Sequence, residues 1–101
     1  MAAEALDPRW RSMPEVHIPP RYRGPTNGER LVEVTGGTVR ECIDAVDARY
    51  PGFGELVFDA DGKIRLFATL FVNGDELDRG AGDTKVAGND RIEILAAVAG
   101  G

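Results

Sequence analysis

Cysteine and histidine each occur once in the 101 residues, as Cys42 and His17. One cysteine excludes a disulfide framework and a cysteine-based zinc site. One histidine excludes a two-histidine metal centre. Lysine is nearly as scarce, with Lys63 and Lys85 against ten arginines. Positive charge as a whole falls short, since 12 basic residues face 17 acidic ones for a formal net charge of −5. A basic stripe for a phosphate backbone is therefore not expected, and neither is a nucleic-acid partner. Long apolar runs are missing too. The run that opens at Ile94 is far shorter than a membrane span. No apolar signal-peptide core precedes the domain, so the reading is a cytoplasmic protein without membrane contact. No Ser/His/Asp grouping, phosphate loop or paired carboxylates present themselves. The expectation is a protein that is not an enzyme on its own and holds neither cofactor nor metal.

The length suits one domain, burying roughly 65% of the unfolded surface. Residues 1–13 precede the regular pattern: they lack strand alternation, and Pro8 interrupts any helix. They are expected to form a mobile extension ahead of a domain over 14–98, with Trp10 as their one residue suited to docking. From Pro14 the alternation starts. Val16 and Ile18 share one face and Glu15 and His17 the other, until Pro19-Pro20 stops the ladder. Arg21 to Glu29 holds Gly24, Pro25, Asn27 and Gly28 and reads as a turn region. Arg30 to Thr35 alternates again, which predicts a hairpin with the first strand.

Gly36-Gly37 breaks the strand, and Thr38-Val39-Arg40-Glu41 has the form of a helix-opening capping box. Val39, Cys42, Ile43, Val46 and Tyr50 follow helical spacing, and Pro51-Gly52 ends the helix. Phe53 to Arg65 reads as a connection with a turn at Asp61-Gly62. Leu66 to Val72 is the strongest strand, and Asn73-Gly74 is the favoured type I′ hairpin pair. A short Glu76-Leu77 segment and a turn near Asp83 to Val86 precede the last strand, Arg91 to Val98. Two strands, one helix, then two or three strands predict an α+β fold. Its expected form is the β-grasp, a four- to five-stranded mixed sheet with one main helix crossing one face. That class alone names no function.

Three features tempt and fail. Asp59-Ala60-Asp61-Gly62 opens like a calcium loop, but the later ligands and closing glutamate are missing, so a β-turn is expected. Cys42 lies on the apolar helix stripe and reads as a small core residue. His17 sits on the polar side of its strand without a sequence-local partner and reads as a solvated histidine.

The C-terminus differs. Ile92 to Val98, an expected buried strand, runs directly into a flexible tail, Ala99-Gly100-Gly101, that carries the chain's carboxylate. Such an end suits ATP-dependent activation of a carboxylate drawn through a narrow channel, because glycine has no Cβ to clash there. The acyl-adenylate is open to capture by sulfide or persulfide, giving a thiocarboxylate, or by an amine, giving an amide. The residues assigned to this chemistry are Gly101 as the reacting terminus and Val98, Ala99, Gly100 and Gly101 as the threaded tail.

The order of elements together with the ending AVAGG resembles the ThiS/MoaD family of ubiquitin-like sulfur carriers, and within it the CysO-type carriers of cysteine biosynthesis. The likeness covers 14–101, including Val16 to Pro19, Thr38-Val39, FATLFVNG over 67–74, and Ile94-Leu95 through the tail. Family members often have proline where this chain has Ala96. The resemblance implies an adenylyltransferase like the ubiquitin-activating enzymes, which would use ATP to adenylate Gly101. It further implies a sulfur donor (a rhodanese or persulfide) and a sulfur-accepting synthase. For a CysO-type carrier the acceptor is an activated serine. The small subunit of molybdopterin synthase and a ubiquitin-like protein modifier remain open alternatives, as does a β-grasp interaction module with an inert tail.

Strand alternation also predicts where partners dock. Ala68, Leu70 and Val72 suit a helix-covered face, whereas Phe67, Thr69 and Phe71 point away, as do Arg91, Glu93, Leu95 and Ala97 in the last strand. One helix covers one face, so Phe67, Phe71, Leu95 and Ala97 are expected to form an exposed apolar patch beside the tail. The competing expectation has the connection Phe53 to Arg65 folding over that patch.

Overall fold

Thr38 starts the main helix because its side chain takes a backbone donor that the first turn leaves free. The Glu41 N–H donates to Thr38 Oγ1 at 3.1 Å, and the Gly37 N–H donates to Glu41 Oε1 at 2.7 Å. The reciprocal arm of the expected capping box thus reaches one residue further back than the cap itself. The helix, α1 (Val39–Arg49), buries Val39, Cys42, Ile43 and Val46 and ends where the Tyr50 N–H donates to the Val46 carbonyl.

A computed structural model describes residues 13–96. Ala97, Val98, Ala99, Gly100 and Gly101, and the expected extension up to residue 12, lie outside the described residues. The strands are β1 (Glu15–His17), β2 (Leu31–Glu33), β3 (Ala68–Val72), β4 (Asp75–Glu76) and β5 (Arg91–Ala96). They form one five-stranded sheet in the order β2-β1-β5-β3-β4. β1 runs parallel to β5, with His17 beside Glu93, and the other pairings are antiparallel. The first and last strands therefore lie side by side at the centre of the sheet. The expected hairpin of β1 and β2 is present, with Val16 opposite Val32.

Alternation assigns the faces. Val16, Ile18, Val32, Ala68, Leu70, Ile92 and Ile94 are buried with the apolar stripe of α1. Each fully buried aliphatic side chain contributes roughly 1.5–3 kcal/mol. A surface ion pair such as Arg79–Asp59, at 3.5 Å, contributes only about 0–1 kcal/mol. The apolar pattern, not surface charge, decides which side of the sheet meets the helix.

Three expectations need correction. The third strand begins at Ala68 rather than Leu66, because the Ala68 N–H closes a turn onto the Arg65 carbonyl at 3.0 Å. Residues 53–65 are not a plain connection. A short helix, α2 (Gly54–Val57), and a bridge between Phe58 and Ile64 fold them into the core, where Phe53, Val57, Phe58 and Ile64 are buried. Arg40 of α1 stacks on the Phe58 ring at 4.6 Å, so this segment packs with the helix and not over the opposite face. His17 does have a sequence-local partner, since its Nε2 lies 3.2 Å from Glu15 Oε1.

The turns follow local chemistry. Asp59 Oδ1 accepts the N–H groups of Asp61 and Lys63 at 2.9 and 3.0 Å, which holds its carboxyl below the usual range. This is the expected β-turn, and no cluster of metal-ligating side chains occurs among the described residues. Asn73 and Gly74 take positive φ values of 51° and 91°, the I′ geometry that glycine accepts without strain. Asn73 also binds Asp90 through Nδ2 at 2.9 Å and accepts the Arg91 N–H, tying the hairpin to the start of β5. Among the described residues, no helix is long and apolar enough to cross a membrane.

Candidate functional site

The face of the sheet opposite α1 carries the site. It presents Thr69 and Phe71 from β3, Leu95 and Glu93 from β5, His17 from β1 and Leu31 from β2. Leu31 and Leu95 are exposed, Leu95 to 58%. Phe71 is half-buried, with Glu93 opposite it on β5 and Glu76 on β4. His17, Leu31, Phe71, Glu93 and Leu95 floor a groove of about 790 Å³ that reaches from β2 to β3 across the two central strands.

Local sequence explains the groove's far wall. Pro19 and Pro20 offer no N–H to the ladder, so the chain leaves the sheet after Ile18 and turns through a 3-10 segment, Pro20–Tyr22. Tyr22 turns inward and packs edge-on against Phe53, with ring centroids 6.4 Å apart. Thr26 is fully buried, and its hydroxyl donates to the Glu29 carbonyl at 2.9 Å, which braces the loop. Arg23 Nε donates to the Ile18 carbonyl at 3.0 Å and so stays against the groove, which it lines with Pro19, Pro20 and Arg30.

Of the expected patch, Phe71 and Leu95 come together in this groove. Phe67 does not join them. It is 46% exposed in the turn before β3, where the backbone no longer continues the strand alternation. Ala97 lies outside the described residues, as do the tail residues Val98, Ala99, Gly100 and Gly101. The last described residue, Ala96, pairs with Ala68 and directly follows Leu95 of the groove. The segment 53–65 contributes nothing to the groove's lining. Sequence reasoning missed Pro19, Pro20, Arg23 and Leu31. The outward phase of Leu31 was available from alternation, but the adjacency of β1 and β5 is a long-range fact that no local pattern carries.

Cys42 stands apart from this face. It is fully buried under Gly36, where an added Cβ would sit 3.0 Å from its Sγ. Burial above all, with help from Glu41 and Asp90, pushes the thiol up to about 11. At neutral pH it is a protonated core group and not a nucleophile. Cys42→Ala should therefore cost about 1 kcal/mol of stability and leave any chemistry of the terminus intact. A denaturant titration and an activity assay on one sample check both halves. Activity lost at preserved stability would reveal a sulfur relay through Cys42.

The chain matches the ThiS family over residues 17–101. It is 35% identical over 89 residues to the sulfur carrier protein CysO of Mycobacterium tuberculosis, covering 85% of this chain and 96% of the relative. The crystal structure of the Amycolatopsis orientalis BexX/CysO complex contains a similar chain, with 37% identity and a TM-score of 0.79 over 87% of this chain and 99% of that one. SAMP1 from Haloferax volcanii shares the fold, with a TM-score of 0.72 and 24% identity over 87% of this chain and 98% of that one.

Proposed function

The chain belongs to the ThiS family and is a sulfur carrier of the CysO type, and from that premise we propose that the Gly101 carboxylate is its working group. A carboxylate oxygen attacks the α-phosphorus of ATP in an activating enzyme, and pyrophosphate leaves. Sulfide sulfur then attacks the acyl carbon, the bond to AMP breaks, and the terminus becomes a thiocarboxylate. If a persulfide supplies the sulfur, a thiol must reduce the acyl disulfide that forms first. The thiocarboxylate is a charged sulfur nucleophile that a synthase presents to its acceptor, an activated serine for a carrier of this type. ATP is bound by the partner and not by the carrier.

The observation that carries this reading is that the family match runs through residue 101, so Gly100-Gly101 lies inside it. The groove supports the protein side of the mechanism. Phe71 and Leu95 offer an apolar surface, and Leu95 lies six residues before Gly101 in the chain, within reach of an enzyme that grips the domain and takes up the terminus. A relative solved in complex with BexX supports a carrier that works by docking. Since one groove serves both steps, the activating enzyme and the synthase dock in turn. ATP–pyrophosphate exchange that depends on this chain tests the first step.

A further inference from the structure

The face opposite α1 is divided by charge. Glu15, Glu33 and Glu93 lie toward the beginning of β5. Arg91 reaches Glu93 there at 3.8 Å. The groove carries Arg23 and Arg30 along with Glu93. Neither arginine has a carboxylate within 4.0 Å among the described residues. Arg79 and Arg91 are the arginines with a carboxylate within 4.0 Å among the described residues, so the groove's own arginines keep their charge unneutralised by the described fold. Arg23 spends its Nε donor on the Ile18 carbonyl, which fixes the stem and leaves the forked end available. Arg30 is exposed. The apolar Leu31, Leu95 and Phe71 line the same groove.

We infer that the groove takes a protein surface whose apolar centre is flanked by carboxylates, with Arg23 and Arg30 as their partners. The inference rests on the docking reading above and adds the chemistry of the partner. A guanidinium fork matches a carboxylate with two parallel donors, and a rim charge of this kind acts chiefly on the rate of encounter. A phosphate backbone does not fit, because Glu93 lines the same groove and the chain carries net negative charge.

The test is association kinetics with the adenylating enzyme that supports pyrophosphate exchange with this chain, measured across a salt series. For the unaltered chain the association rate should fall as salt rises. The Arg23→Glu/Arg30→Glu double variant should associate at least about tenfold more slowly at low salt, with a flattened salt dependence. Arg30→Glu alone should show part of this loss, and its side chain makes no hydrogen bond within the described fold, so misfolding does not explain it. Phe71→Ala should instead speed dissociation and leave the salt dependence unchanged. If the charge variants associate as the unaltered chain does while Phe71→Ala still releases the enzyme, docking stands and the inference falls. Faster association of the charge variants would also overturn it. Unaltered binding by Phe71→Ala would remove the docking reading itself.

Discussion

Deleting Gly101 should abolish pyrophosphate exchange in the presence of the activating enzyme, while the circular dichroism spectrum stays that of the full chain. The effect should be all or nothing, because the reacting atom is the terminal carboxylate and no side chain substitutes for it. His17 hydrogen-bonds to Glu15 on the sheet, the buried Cys42 thiol stays protonated, and the Asp59 carboxylate holds a turn. A shortened chain still offers a carboxylate, on Gly100, but one residue short of the α-phosphate. Losing that placement removes the advantage of proximity, which reaches roughly 7–11 kcal/mol for a well-oriented pair. The domain itself should not register the deletion, since the buried core of the described residues is built from Val16 through Ile94, with Ala96 packed against it. Normal exchange by the shortened chain would sink the assignment of Gly101.

Phe71→Ala should weaken binding to both the activating enzyme and the sulfur-accepting synthase by more than about 2 kcal/mol, as loss of a central aromatic anchor often does. Phe71 lies on the open face between Glu93 and Glu76, and nothing in 53–65 covers it. Stability should change by only about 1 kcal/mol, because the side chain is half-buried and outside the core. Alanine is the informative replacement. An aspartate would set a carboxylate between two glutamates and destabilise the strand by like-charge contact, confusing fold with binding. Calorimetric titration of each partner and a melting curve of the variant separate the two effects. Equal loss for both partners is the expected pattern. Loss for one alone would show that the two enzymes use different surfaces.

Local signals carried most of the fold. The stripe of α1, its threonine cap and the Asn73-Gly74 turn depend on neighbours within about one turn of chain, and all three stand where the residues placed them. The two faces of the sheet were legible for the same reason, from Val16, Leu70 and Ile92 on one side and Phe71 and Leu95 on the other. Phe67 misled because a strand-like composition continues past the point where the Arg65 carbonyl bends the backbone. Phe53, Val57, Phe58 and Ile64 were unreadable as core, since a four-residue helix and a single bridge leave no period to detect. The groove's second wall was hidden for a different reason. Arg23 and Pro20 meet β5 only through the parallel pairing of the first and last strands, which the sequence separates by some seventy residues.

The central claim concerns what Gly101 becomes, and the direct measurement is the mass of the intact C-terminal peptide from chain isolated out of its own cells. A sulfur carrier should appear in part with one terminal oxygen replaced by sulfur, and that fraction should react with a thiol-specific alkylating reagent at Gly101 and not at Cys42. A terminus found only as free carboxylate, or joined through an amide to lysines of other proteins, would contradict it.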